Sequence, residues 1–192
     1  MSEILVNTIK KADGTGSLTI PADTGTVVIK DGSNDVTLNN ITATGVYLGG
    51  TGATNYLDDY EEGTFTVTVT TDGTAFTTAN NTATCHYTKV GRMVTVFIDC
   101  FIESPTNGTG NLIVTGLPFA YTESQNISTS VRTGRVDLLG DGNGVNAKLN
   151  QNNTFLYFSI NRNANTDIAI DASYLNNNPT PFMNLILNYT AS

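Results

Sequence analysis

Residue types that commonly carry catalysis and metal binding are scarce in this chain. Its 192 residues include one histidine, two cysteines and nine basic against seventeen acidic side chains, for a net charge of −8. No Cys/His cluster has zinc-ligand spacing, and the only histidine, His86, is predicted to lie among threonines on the outward face of a hairpin. The sequence therefore predicts no catalytic residue, no metal site and no cofactor, and we expect a protein that is not an enzyme.

An excess of positive charge and long apolar runs are also absent. The acidic balance would repel a phosphate backbone, so we expect no nucleic-acid partner. No stretch approaches the roughly 20 apolar residues that span a bilayer, which predicts no membrane insertion. The opening MSEILVNTIKK lacks the apolar core of a signal peptide, so we expect the chain to be made in a cytosol.

Helical periodicity is absent, whereas alternating strands are evident. Charged residues make up only 14% of the chain, and Thr, Asn and Gly are abundant, which predicts an all-β protein. The clearest strand pair is Thr82 to Ile102. Its second arm places apolar residues at every even position from 94 to 102, and its first arm places them at odd positions from 83 to 87. Both arms thus present one buried face.

The register of this hairpin depends on its turn. An even-numbered loop within Lys89 to Arg92 keeps the two apolar sets on one face, and we predict that Tyr87 lies opposite Val94. Gly91 is the residue suited to positive φ in that turn.

Two cysteines fall on the buried face of the hairpin. The predicted register places Cys85 opposite Val96, so that Cys85 and Cys100 lie roughly 13 Å apart along the strand. A disulfide requires Cα atoms within about 7 Å. We therefore expect two buried, reduced thiols.

Further strands precede and follow the hairpin. Phe65, Val67 and Val69 alternate with threonines. Later strands are predicted at 111–114, 131–139, 145–149, 156–160 and 183–189, with turn-forming clusters between them. The inner faces of the last two are predicted to be Leu156, Phe158 and Ile160, and Met183, Leu185, Leu187 and Tyr189. Eight or so short strands favour an antiparallel β-sandwich of jelly-roll type, which we predict as a head domain over residues 56–192.

A short apolar unit recurs before the head, at 18–20, 27–29, 36–38 and 46–48. Each unit is too small to be stable alone, so such repeats must stack or wind together with other chains. We predict that residues 1–55 form an attachment segment and a multichain stalk, which ends in a glycine-rich break at 49–55. The alternative is a meander packed on the main domain.

Four carboxylates cluster at the start of the head: Asp58, Asp59, Glu61 and Glu62. Paired carboxylates can act as a glycosidase acid and base or bind calcium, but this run lacks the spaced ligands and glycine of a metal loop. We interpret it as a solvated junction.

Three asparagine-rich loops, at 106–111, 161–167 and 176–181, lie near tyrosines. Amide groups hydrogen-bond sugar hydroxyls and aromatic faces pack on sugar rings, so these loops suit glycan binding. The candidate receptor contacts are Asn163, Asn165, Tyr174, Asn177 and Asn178. The alternative is that asparagine serves only as a turn residue.

Three motifs give the sequence a family resemblance. YLDDYEEGTFTVTV, then HYTKVGRMVTVFI, then Gly116 to Phe119 resemble the C-terminal domain of bacteriophage tail-fibre and related virion fibre proteins. The usual pattern is Leu-Asp-Asp-Tyr-Glu-Glu-Gly-Thr-Trp-Thr-Pro, Tyr-Thr-Lys-Ile-Gly and Gly-Leu-Pro-Phe. Phe65 stands in place of the tryptophan and Val67 in place of the proline. The opening EILVNTIKKADGT is similar to the N-termini of short marine-phage fibres.

The resemblance implies a homotrimer mounted on a virion, assembled in the host cytoplasm, with a distal head that contacts the host surface. Together with the asparagine-rich loops, it predicts a host-surface glycan as the receptor. Other phage tail or capsid proteins are then partners, and Ile4, Leu5, Val6 and Ile9 are candidates for virion attachment. The alternative is a structural fibre, a capsid decoration or tail adaptor that binds only virion proteins. The resemblance names no catalytic residue.

Overall fold

The computed structural model describes residues 43, 45–48, 52, 56–57, 59–134, 144–161 and 167–191. The chain divides into two compact units, Met1–Ala43 and Thr44–Ser192. Everything below concerns the second unit. Most of the repeat and the candidate attachment residues Ile4, Leu5, Val6 and Ile9 lie outside the described residues.

The described part of the chain is all-β, as predicted, with no α-helix and one 3₁₀ turn at Ala172–Tyr174. Its strands are β1 Val46–Tyr47, β2 Tyr56–Leu57, β3 Tyr60–Thr71, β4 Thr82–Val90, β5 Met93–Phe101, β6 Leu112–Thr115, β7 Ile127–Gly134, β8 Val145–Leu149, β9 Phe155–Ile160, β10 Ile168–Ala169 and β11 Phe182–Thr190. β1 and β2 form a separate antiparallel pair, in which the rings of Tyr47 and Tyr56 lie 4.8 Å apart.

The main sheet closes into an antiparallel barrel. Its order is β6-β3-β4-β5-β11-β7-β8-β9, and β9 pairs with both β8 and β6, so that eight strands form a ring. β10 adds to the edge of β9 beyond the end of β6. The expected antiparallel strands are confirmed, but the described strands form one closed sheet rather than the two facing sheets of a sandwich. Closure pairs the strands that would otherwise form the two exposed edges.

The barrel interior is filled by one side of each strand. In β5 the predicted inward residues are buried, and in β11 so are Met183, Leu185, Leu187 and Tyr189. In β9 the inward residues are Leu156, Phe158 and Ile160. The faces predicted from alternation are therefore confirmed.

The hairpin register differs from the prediction by two residues. Tyr87 pairs with Val96 rather than with Val94, because Val90 pairs with Met93 and the turn contains only Gly91 and Arg92. Gly91 has the predicted positive φ, +56°. A shift of two residues leaves every side chain on its predicted face, which is why the error did not disturb the predicted core.

Both cysteines are buried free thiols, as predicted. The corrected register brings Cys85 closer to Cys100 along the strands than the predicted distance. Burial raises the pKa of the Cys100 thiol to about 12, and the Cys85 thiol contributes to that rise. The pKa of Cys85 is also raised, mainly by burial.

The resemblance motifs meet at one end of the barrel. A Cβ on Gly63 would lie 2.9 Å from the Tyr87 ring, so glycine provides room for that ring. Tyr87 in turn packs edge-on against Phe119, with ring centroids 5.3 Å apart. Gly116 has φ +97°, and a Cβ there would lie 2.3 Å from the carbonyl oxygen of Thr66. These residues therefore have a packing role.

Candidate functional site

The outer face of β3, β4, β5 and β11 presents side chains in rows set by the strand register. The rows run Tyr60-Val90-Met93-Thr190, Glu62-Thr88-Thr95-Asn188 and Thr64-His86-Phe97-Ile186, followed by Asp99-Asn184-Arg132 across β5, β11 and β7. Thr and Asn are ordinary on a solvated face, whereas the large apolar residues in the first and third rows are not.

The third row carries the most exposed apolar pair. Phe97 on β5 is 54% exposed and pairs directly with Ile186 on β11, which is 50% exposed. His86 on β4 is opposite Phe97 on its other side and is exposed. The flat Phe97 ring with Ile186 beside it gives an apolar platform at the centre of the face.

The row beside this platform is polar and connected. The Asn184 amide donates to the Asp99 carboxylate, and Arg132 Nη1 donates to Asn184 Oδ1 at 3.0 Å. Arg132 also lies over the Phe182 ring, 5.1 Å from its centroid. Asp99, Asn184 and Arg132 therefore hold each other in place and leave both acceptor and donor atoms at the surface.

A groove of about 790 Å³ runs along these two rows where β7 leaves β11. β7 pairs with β11 only at residues 182–184, and beyond them Thr129 Oγ1 donates to the Ile186 carbonyl at 2.9 Å. The groove combines an apolar platform with hydroxyl, amide, carboxylate and guanidinium groups. Such a set can hold a ligand rich in hydroxyl groups.

A second groove, of about 450 Å³, lies on the other side of Phe97. Glu62, Thr64, His86 and Thr88 line it together with Phe97. Phe97 is thus shared by both grooves.

Three of the candidate receptor contacts lie around the 3₁₀ turn. Tyr174 packs partly against the core, and its carbonyl accepts from Asn178 Nδ2 at 2.8 Å. Asn177 is exposed with φ +66°, and its backbone N–H donates to the Pro105 carbonyl at 2.8 Å. Asp171 begins the turn by accepting from the backbone N–H of Ser173, which lowers the Asp171 pKa. Asn177 and Asn178 thus have turn-forming roles.

The remaining candidate contacts, Asn163 and Asn165, lie outside the described residues. Tyr174, Asn177 and Asn178 are not among the residues that line the groove beside Phe97. The sequence did not predict a binding role for Phe97, Ile186 or Arg132. The available signal was a large apolar residue at an outward position of an alternating strand, at Phe97 and again at Ile186.

Two carboxylates of the acidic run, Asp59 and Glu62, have different contacts, and Asp58 lies outside the described residues. Asp59 forms an ion pair with Lys89, a contact that sequence analysis missed. Tyr60 donates its hydroxyl to Glu62 Oε2 at 3.3 Å, and the Glu62 charge raises the Tyr60 pKa. Within the described ranges, no three His, Cys, Asp or Glu side chains are grouped to hold a metal ion, and no helix there is long and apolar enough to cross a membrane.

Comparison with known proteins identifies a similar fold. No protein-family model matches the sequence, and no curated protein matches it. Among solved structures, the Dettilon tailspike protein (gp208) is similar, with a TM-score of 0.53 and 18% identity. The similarity covers 69% of this chain and 24% of the tailspike chain. At this identity the likeness concerns the fold alone, and an all-β domain of this kind occurs within a phage tailspike.

Proposed function

We propose that this chain is a homotrimeric bacteriophage fibre protein of the virion whose barrel binds a host-surface glycan without cleaving it. The observation that carries the proposal is the groove in which Phe97 and Ile186 lie beside the Asp99-Asn184-Arg132 row. The fold shared with a tailspike and the three resemblance motifs support the placement on a virion.

The chemistry of the groove suits a sugar chain. A sugar ring has apolar C–H faces that pack on an aromatic ring such as Phe97. Its hydroxyl groups both donate and accept, so they match the Asp99 carboxylate and the donors of Arg132. The hydrogen bonds through Asn184 fix these groups before the ligand arrives, which lowers the entropic cost of binding.

A trimer can attach to a cell surface through binding sites that are individually weak. A millimolar Kd corresponds to about −4 kcal/mol, which is small for a single site. Three heads on one stalk bind with much higher avidity when the surface presents repeated glycans. The stalk over residues 1–55, attachment through Ile4, Leu5, Val6 and Ile9, and contacts with other tail or capsid proteins belong to the same proposal.

The test is binding of labelled protein to cells of the phage's host. Phe97→Ala should lower cell binding at least about tenfold through lost stacking and avidity. Since more than half of Phe97 is exposed, the melting temperature of the variant should differ little from that of the wild type. Thr84→Ala is the control, because Thr84 is an exposed residue on the outer face of β4 that lines neither groove. Reducing ends released from host polysaccharide would contradict a purely binding role.

A structural role is the second candidate, favoured by the row of Tyr60, Val90 and Met93. These exposed side chains form an apolar patch, which suits contact with another protein surface. If the role is structural, the wild-type protein should not bind host cells, and virions that lack the protein should be fragile or incomplete.

A further inference from the structure

A smaller groove lies over the outer face of β8, β9 and β10, away from Phe97. Its volume is about 290 Å³, and its polar lining residues are Lys148, Asn150, Tyr157, Ser159 and Asp167. Alternation along β9 places Tyr157 and Ser159 outward, opposite to the buried side chains at 156, 158 and 160. The function proposed above makes no use of this groove.

Ser159 is the unusual residue of this groove. It is 5% exposed, and its Oγ has no hydrogen-bond partner in the part of the chain that the structure describes. A buried hydroxyl without a partner is unfavourable, because it has lost water and gained nothing in exchange. Ser159 therefore has an unsatisfied hydroxyl group just below the groove surface, and a ligand hydroxyl reaches it when the side chains above it shift.

Lys148 and Asp167 stand side by side in the same groove. Lys148 Nζ donates to Asp167 Oδ2 at 2.8 Å, and both side chains are partly buried. The ammonium retains further donors and the carboxylate further acceptor sites. An anion such as phosphate would meet the Asp167 carboxylate, whereas a pair of sugar hydroxyls can accept from one group and donate to the other.

Tyr157 adds an aromatic surface. Its ring packs edge-on against Phe155 with centroids 5.0 Å apart, which holds the ring in place. We propose that this groove binds one neutral sugar unit, with the sugar ring against Tyr157 and its hydroxyl groups on Ser159, Lys148 and Asp167. The proposal is independent of the Phe97 groove and survives if that groove binds nothing.

The experiment is a two-dimensional NMR titration of the full chain with the methyl glycosides of glucose, galactose and mannose, and separately with inorganic phosphate. We expect at least one glycoside to give saturable shifts of the backbone amides of Lys148, Tyr157 and Ser159, at millimolar concentration. Ser159→Ala should weaken that binding about fivefold or more, the effect of one lost hydrogen bond.

Thr122→Val is the matched control, since Thr122 Oγ1 is also buried without a partner but is not among the residues that line this groove. It should bind the sugar as the wild type does. Ser159→Ala should melt at the same temperature or higher, because no protein hydrogen bond is lost. Three results would overturn the proposal: shifts with phosphate alone, no shifts with any glycoside, which means a groove that is only hydrated, or sugar binding unaffected by Ser159→Ala.

Discussion

Lys89 and Asp59 form an ion pair in which 7% of the lysine side chain and 44% of the aspartate side chain are exposed. Lys89 lies on the inward face of β4, with its ammonium 5.6 Å from the centroid of the Phe119 ring. The backbone N–H of Gly91 donates to the Asp59 carbonyl at 2.6 Å. One residue from each of the three resemblance motifs thus meets here, and the motifs describe how one end of the barrel is held together.

This ion pair gives the first prediction. Asp59→Asn leaves the Lys89 ammonium buried without its counter-charge, whereas Lys89→Met keeps an apolar stem of similar length. Because Asp59 is partly exposed, we expect Asp59→Asn to cost about 1–3 kcal/mol, between the values for surface and buried pairs. Lys89→Met should cost less. Urea unfolding measures the free energy of unfolding of both variants. A larger loss of stability in Lys89→Met than in Asp59→Asn would show that the ion pair itself contributes little.

The backbone at Gly116 gives the second prediction. Its φ of +97° is unfavourable for any side chain, and an added Cβ would approach the Thr66 carbonyl oxygen to 2.3 Å. Gly116→Ala should therefore cost at least about 2 kcal/mol. Gly144→Ala is the matched control, since a Cβ there meets nothing closer than 3.9 Å and should change stability by less than about 1 kcal/mol. Thermal melting compares the two, and equal losses would contradict the argument.

Much of the fold follows from local alternation, and the rest from pairing between distant strands. The inward faces of β5, β9 and β11 were predicted because apolar residues recur at every second position within each of these strands. The position of the turn at Gly91 was predicted, but its length was not. The predicted and observed registers of the hairpin differ by two residues, and such a shift leaves every side chain on the same face of the sheet. The apolar pattern therefore cannot distinguish the two registers. Barrel closure depends on the pairing of β6 with β9, which are far apart in sequence, so the pattern of neither strand reveals it.

The candidate site was harder to predict for a similar reason. Asp99, Asn184 and Arg132 are far apart in sequence and adjoin only because β5, β11 and β7 lie side by side. The asparagine loop offered a local signal, but Asn178 and Asn177 carry local hydrogen bonds and backbone geometry there. Composition alone does not separate asparagine that binds a ligand from asparagine that forms a turn.

Alkaline pH provides the third prediction. The folded pKa of Cys100 is about 12, above the ordinary thiol value of 9.0, so the folded chain keeps a proton that the unfolded chain loses. Stability is then full below about pH 9 and falls by about 1.4 kcal/mol per pH unit above it, until the folded pKa is reached. Tyr189, whose pKa burial raises to about 12, adds to the loss above its unfolded value of 10.0. Urea unfolding of Cys100→Val should show a shallower decline than the wild type, and an identical decline would exclude Cys100 as a cause.

The asparagine turn provides the fourth prediction. Asn178→Ala removes the hydrogen bond from Nδ2 to the Tyr174 carbonyl and should cost about 1 kcal/mol. Asn177→Gly suits the positive φ and should be neutral or slightly stabilising, whereas Asn177→Ala should cost about 1 kcal/mol. Asn177→Gly is therefore the cleaner probe of receptor contact. If it lowers binding to host cells while melting as the wild type does, the turn contributes to recognition as well as to the fold.

The apolar row at the start of β3 and β5 provides the last prediction, which concerns the proposed homotrimer. Met93 is half exposed and adjoins Val90 and Tyr60, so a charge at Met93 has access to water in an isolated barrel but would lie buried if another copy covered the row. Met93→Glu should therefore change the unfolding free energy of a dissociated chain by no more than about 0.5 kcal/mol. If copies meet at this row, the same variant should shift the mass measured by light scattering from trimer towards monomer. Thr84→Glu, an exposed threonine on the outer face of β4 outside this row, should leave the mass unchanged. A trimer that withstands Met93→Glu would show that the heads associate elsewhere, or that residues 1–55 alone hold the copies together.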